Sequence, residues 1–257
     1  LYACLAEAAN GAYPRMMLSP LADANGALVT ALGGRTANTT TPSQRHDPTA
    51  RLSPGDSTPW RMFVVGERPG DLLERNYLML NLNPPCSLAE TSWIRPGKVM
   101  RDTTLTTENS KAIIDFAATA GLQYTHLDSK WYGSEDAQTG DATTVRVPNL
   151  DVNEIIRYGK EKGVGLILYV DRRQIRRQRD VLFPLFEQWG VKGIKIGFVD
   201  VGPQTETAWI TETIRTAADR HLLLNIHDGY RATGNNRTWP NLMTVEGIRG
   251  NEHMPTP

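Results

Sequence analysis

Two runs near the middle of the chain decide the fold: Gly165-Leu166-Ile167-Leu168-Tyr169-Val170-Asp171 and Gly193-Ile194-Lys195-Ile196-Gly197-Phe198-Val199. Each is short, mostly apolar and rich in branched side chains, as expected of a strand buried on both faces. Between them, residues 174–189 read as a helix, and the alternation continues in both directions. Upstream, 98–101 and 123–128 read as strands, and 108–120 and 152–162 as helices. Downstream, 222–228 and 242–246 read as strands, with a helix at 207–220. Asp151 and Glu154 have the spacing of a capping box at the start of the 152–162 helix. Buried strands alternating with helices predict a parallel sheet.

Residues 1–92 follow a different grammar. Trp60-Arg61-Met62-Phe63-Val64-Val65 and Tyr77-Leu78-Met79-Leu80-Asn81-Leu82 are short apolar runs bounded by Gly, Pro and Asn, and both read as strands. The polar stretch 33–59, rich in Gly, Thr, Pro and Ser, reads as a surface excursion. This division gives a β-domain remnant at 1–92 and an α/β unit at 93–257.

Six candidate strands are two fewer than a closed (β/α)₈ barrel requires. The strand ends argue for a barrel rather than an open sheet. In barrels, chemistry gathers at the C-terminal ends of the strands. Here Asp128 closes the second strand, Asp171 the third, Asp228 the fifth and Glu246 the sixth, with Glu252 six residues further on. One Asp after a strand is ordinarily a helix cap, whereas four acids at four strand ends make an acidic mouth. Such a mouth suits glycoside hydrolysis, which needs an acid and a base or nucleophile, and equally suits Ca²⁺. The sequence therefore reads as an incomplete (β/α)₈ TIM barrel, expected to continue past Pro257. Trp131-Tyr132, just past Asp128, offers a surface for stacking on a sugar or for packing. The run Arg172, Arg173, Arg176, Arg177 and Arg179 reads as the solvated face of a helix.

Composition narrows the partners. Lys+Arg and Asp+Glu both number 28, so no basic excess points to nucleic acid. Two cysteines, Cys4 and Cys86, are too few for a disulfide scaffold or a thiolate metal site, and a single bridge between them stays open. No run of 18 apolar residues suggests membrane insertion. The chain begins at Leu1 without a basic-then-apolar leader.

Several motifs together resemble glycoside hydrolase family 97. They are Ser92-Trp93-Ile94-Arg95-Pro96-Gly97-Lys98-Val99, Leu127-Asp128, Asp151-Val152-Asn153-Glu154, and Trp189-Gly190-Val191-Lys192-Gly193-Ile194-Lys195. Arg237-Thr238-Trp239-Pro240-Asn241 and Glu246-Gly247-Ile248-Arg249-Gly250-Asn251-Glu252 complete the set, with Glu7-Ala8-Ala9 and Tyr13-Pro14 upstream. The resemblance implies a calcium-dependent α-glucosidase or α-galactosidase with an N-terminal β-sandwich, periplasmic or secreted, acting on α-linked oligosaccharides. It implies Glu252 as general acid, Glu7, Asp228, Glu246 and Glu252 as calcium carboxylates, and Lys195 and His227 as sugar contacts. Asp128 and Trp131 fall on the substrate side of the same mouth.

Retaining members of that family carry an Asp nucleophile where this chain has Gly197, which has no side chain to attack an anomeric carbon. Inverting members use Glu bases at the third and fifth strand ends, where this chain has Asp171 and Asp228. The expectation is therefore an inverting enzyme with Glu252 as acid and Asp228, secondarily Asp171, as base. The alternatives are a carbohydrate-binding barrel that has lost hydrolysis, or a retaining α-galactosidase with a different nucleophile.

Overall fold

The computed structural model describes residues 1–20, 26–33, 49–136, 138–199 and 202–246, with side chains 19 and 20 left aside. A six-stranded parallel sheet forms from β5 (Val99–Asp102), β6 (Tyr124–Leu127), β7 (Gly165–Asp171), β8 (Gly193–Val199), β9 (Leu223–Asp228) and β10 (Leu242–Val245). Neighbours in the sheet are neighbours in sequence, β10-β9-β8-β7-β6-β5. A doubly wound sheet reverses its strand order at a switch point. This one never does, and it is the sequential arc of a (β/α)₈ barrel with six strands among the described residues.

Four helices follow the strands: α3 (Thr107–Thr119), α4 (Val152–Lys162), α5 (Arg172–Trp189) and α6 (Gln204–Ala218). Their starts and stops have local causes. Asp151 accepts the amide hydrogen of Glu154 at 3.0 Å and caps α4. Gly163 and Gly190 end α4 and α5 in the left-handed conformation that lacks a Cβ penalty. Strand residues of one parity, including Leu166, Leu168, Val170, Ile194, Ile196, Leu224 and Ile226, are buried against the helices with Ile155, Leu182, Phe183, Phe186, Ile210 and Ile214. The opposite parity faces the barrel interior, which is why both parities had to be apolar or special.

Before the sheet lie β1 (Tyr2–Ala8), β2 (Met16–Pro20), β3 (Leu28–Leu32) and β4 (Trp60–Gly66), paired antiparallel as β1-β4 and β2-β3. Residues 77–82, read above as a strand, are instead helical: α1 (Pro69–Glu74) and α2 (Tyr77–Asn81) follow one another. A six-residue apolar run does not distinguish strand from helix by periodicity alone, and Leu and Met favour the helix. Cys4 and Cys86 are both exposed and free. No described helix is long and apolar enough to cross a membrane.

The Arg-rich run does more than line a solvated helix face. Arg173 pairs with Asp171. Arg176 pairs with buried Glu206 at 2.5 Å and lies over the Trp209 ring at 4.4 Å. Arg177 donates to the carbonyls of Gln138 and Gly140. These arginines stay exposed, and at the same time tie the backbone at Gln138 and Gly140 and the start of α6 to α5.

Candidate active site

The interior parity of the strands aims a short series of polar groups at the sheet's C-terminal edge. Lys195 on β8, His227 on β9 and Glu246 after β10 meet there. His227 Nε2 lies 2.8 Å from Glu246 Oε2, and Lys195 Nζ 3.8 Å from the same oxygen. Asp228 would ordinarily point away from His227, because adjacent strand residues face opposite ways. Its φ of 68° breaks the alternation, and its Oδ2 comes 2.6 Å from His227 Nδ1. That contact is close but lacks hydrogen-bond angles, so Asp228 Oδ2 and His227 Nδ1 are buried without a hydrogen-bond partner among the described residues. The β8-β9 register shifts between Ile196 and Val199, and Val199 stands level with Asp228. Phe198, at φ 55°, occupies that irregularity and sets its ring edge against His227. Non-glycine residues at positive φ cost about 1–3 kcal/mol each, and two at one strand-end junction mark a place where surrounding packing holds the backbone against its preference.

Asp171 closes the neighbouring strand but has a different environment. It is fully buried, caps α5 through the amide of Arg173 at 2.8 Å, and receives the Arg173 guanidinium on both oxygens at 2.8 and 3.0 Å. Asp128 accepts the Ser129 amide at 2.8 Å and pairs with Arg101. Burial alone would raise the Asp128 pKa, but Ser129 and Arg101, with the nearby His126, hold it below the usual carboxylate range.

Trp131, offered above as a sugar platform, is a core residue. It is fully buried, donates from Nε1 to the Tyr169 carbonyl at 2.7 Å, and packs edge-on to Tyr132 and tilted against Phe186. No ring face is left for a ligand. Glu7 lies on β1, where it pairs with Arg61 at 2.9 Å and accepts the Met16 amide at 3.0 Å. Glu252 lies outside the described residues. Of the described members of the expected calcium set, Glu7, Asp228 and Glu246, the last two meet, with His227 between them. Among the described residues no group of three or more His, Cys, Asp or Glu is placed to hold a metal.

Sequence reasoning missed three side chains, two of them on the interior parity of the strands. His126, two residues before Asp128, is buried with Nε2 unpartnered. Glu135, in the loop after β6, has its pKa raised, chiefly by burial. Tyr169, two residues before Asp171, lies against Gly197: a Cβ built there would fall 1.9 Å from the Tyr169 hydroxyl oxygen. Counting back by two from each strand-end acid finds His126 and Tyr169, and nothing in the sequence finds Glu135. A concavity of about 390 Å³ on the same inner face is walled by apolar residues such as Val99, Ile167, Leu223 and Met243, and reaches Lys195 and His126.

Comparison with known proteins agrees with this layout. Residues 91–248 match the family model described as Glycoside hydrolase 97, and residues 1–85 match Glycosyl-hydrolase 97 N-terminal. A probable retaining alpha-galactosidase from Streptomyces bingchenggensis is 34% identical over 76% of the chain and 32% of its own length. A retaining alpha-galactosidase from Bacteroides thetaiotaomicron is 30% identical over 98% of the chain and 40% of its own length. A solved glycoside hydrolase family 97 enzyme from a Pseudoalteromonas species, in complex with panose, superposes with a TM-score of 0.82 at 25% identity, over 97% of this chain and 42% of that one. The chain thus spans about a third to two fifths of the length of the curated relatives it matches.

Proposed function

This chain belongs to glycoside hydrolase family 97, and on that premise we propose that the protein hydrolyses terminal α-linked galactose or glucose from oligosaccharides. In this reading Asp228 activates the attacking water and Glu252 protonates the leaving oxygen. One observation supports it above the others: Asp228 Oδ2 is buried at the strand-end mouth with no hydrogen-bond donor. Buried polar atoms are nearly always paired, so an unpaired carboxylate oxygen beside His227, Glu246 and Lys195 is an acceptor ready for a water or a sugar hydroxyl. Asp171, capped and ion-paired, has no such capacity. Gly197 supplies no nucleophile, which favours direct displacement by water over a covalent intermediate. Calcium is given no step here, because the described carboxylates do not assemble a site for it.

A second reading has its own observation: both curated relatives are named as retaining enzymes. Under it, Asp228 attacks the anomeric carbon itself. The anomeric configuration of the first product, followed by NMR on the full-length protein with an aryl α-galactoside and an aryl α-glucoside, separates the two. A β-configured first sugar supports inversion. An α-configured one overturns it in favour of Asp228 as nucleophile, and no hydrolysis of either glycoside overturns the enzymatic reading.

A further inference from the structure

The Tyr169 side chain is the unexplained group in this site. It lies on the interior parity of β7, in register with Lys195 on β8 and two residues before Asp171. The residue is 4% exposed, and its hydroxyl lies against the bare backbone of Gly197. Its position is enforced from across the strand pair. A Cβ on Gly197 would approach the hydroxyl oxygen to 1.9 Å, Cζ to 2.3 Å and Cε2 to 2.5 Å, so the phenol occupies the volume of a side chain that Gly197 does not have. The phenol thus stands on the inner face of the sheet, level with Lys195 one strand away and beside a residue with no side chain of its own.

We infer that Tyr169 is a substrate-positioning residue whose hydroxyl donates a hydrogen bond to a ring hydroxyl of the bound sugar. The proposal rests on the glycosidase reading above and extends it to a residue which that reading does not use. The phenol is suited to donating. Burial, then the nearby Glu135, Asp171, Tyr132 and Asp128, push its pKa far above the usual tyrosine value, so the proton stays on the oxygen throughout the pH range in which a protein is folded. The ring is also held still. The Tyr169 carbonyl accepts the Trp131 indole N–H, which anchors the strand at this residue, and Gly197 presents bare backbone to the ring.

The test uses the full-length protein carrying Tyr169→Phe, which keeps the ring and removes only the oxygen. With p-nitrophenyl α-galactosides and α-glucosides lacking the 2-, 3-, 4- or 6-hydroxyl in turn, wild type is expected to lose kcat/KM at one position more than at the others. The variant is expected to lose about tenfold on the parent glycoside, the worth of one hydrogen bond. It should show no penalty at that one deoxy position, an effect that a merely structural role does not produce. Wild-type kcat/KM in the variant, or a deoxy profile parallel to wild type, overturns the assignment. If wild type cleaves none of these glycosides, the glycosidase reading falls and titration with galactose and glucose decides the Tyr169 question alone. Binding about tenfold weaker in the variant then upholds the contact, and equal affinity, or no binding by wild type, overturns it.

Discussion

Asp171 and Asp228 end neighbouring parts of one sheet, and they have opposite fates. Asp171 lies at the mouth of an ordinary βα junction. Its backbone stays extended at φ −64°, its carboxylate caps the helix that follows, and an arginine from that helix saturates it. Asp228 is followed by no immediate helix. Its backbone turns left-handed, its carboxylate folds back on its own neighbour, and one oxygen stays without a donor. The same residue type at equivalent strand ends thus becomes structure in one place and latent chemistry in the other. The difference lies in whether the next element supplies amide and guanidinium donors. A count of acids around a mouth cannot make that distinction.

The comparison breaks first if Asp228 is dispensable. Asp228→Asn keeps the shape and removes the base, and kcat on aryl α-glycosides by the full-length protein should fall about a thousandfold, within the range for losing general base catalysis. Thermal stability should fall modestly, since the change removes a negative charge 2.6 Å from His227 Nδ1. Steady-state kinetics beside a melting curve read both. Near-normal kcat in a properly folded variant would show that Asp228, too, is only structural.

The fold was legible because it rests on periodicity that burial enforces. The bounds of α4, β7 and β8 coincide with the stretches read from sequence, 152–162, 165–171 and 193–199. Leu78 and Leu80 were misread because a short run carries too little phase information to choose between helix and strand. The site was half legible. Asp228 and Glu246 were singled out at strand ends, Lys195 and His227 through the family resemblance, and the four meet. Trp131 was misassigned because an aromatic beside an acid looks alike whether its ring faces a ligand or Phe186. Glu7 went to Arg61 across the β1-β4 pair, a contact between residues far apart in sequence that no local pattern encodes. Gly197 gave the sharpest hint, but its meaning depended on the phenol that fills its place.

The second way to sharpen the comparison is through stability. Asp171→Ala removes a helix cap and strands the Arg173 guanidinium. A cap is worth about 1 kcal/mol and breaking a buried pair about 3–5 kcal/mol, and because Arg173 is partly exposed the expected loss is about 2–4 kcal/mol. Asp171→Asn, which can still cap, should lose less. Urea denaturation of the three proteins ranks them, and an Asp171→Ala protein as stable as wild type would remove the structural role argued here.

The smallest expected effect concerns the third strand-end acid, Asp128, and its buried neighbour His126. Burial, ahead of the opposing pull of Asp128 and the push from Lys195 and Arg101, lowers the His126 pKa to about 4 from an ordinary 6.5. The folded protein therefore holds this imidazole neutral in a range where the unfolded chain protonates it. Unfolded chains then bind more protons between pH 6.5 and 4, so stability rises with pH across that window. The contribution is complete above about pH 6.5 and is lost progressively down to about pH 4, below which both states are protonated and the slope from this residue vanishes. A displacement of this size corresponds to about 3 kcal/mol over the whole window, of which about 2 kcal/mol is gone by pH 5. His126→Asn, of similar polarity but without a titrating proton, should flatten the pH dependence of the unfolding free energy between pH 6.5 and 4.5 while leaving the carboxylate-driven fall below pH 4 in place. Equal slopes in wild type and His126→Asn would mean that His126 is protonated in the folded protein, with Asp128 and not burial deciding its charge.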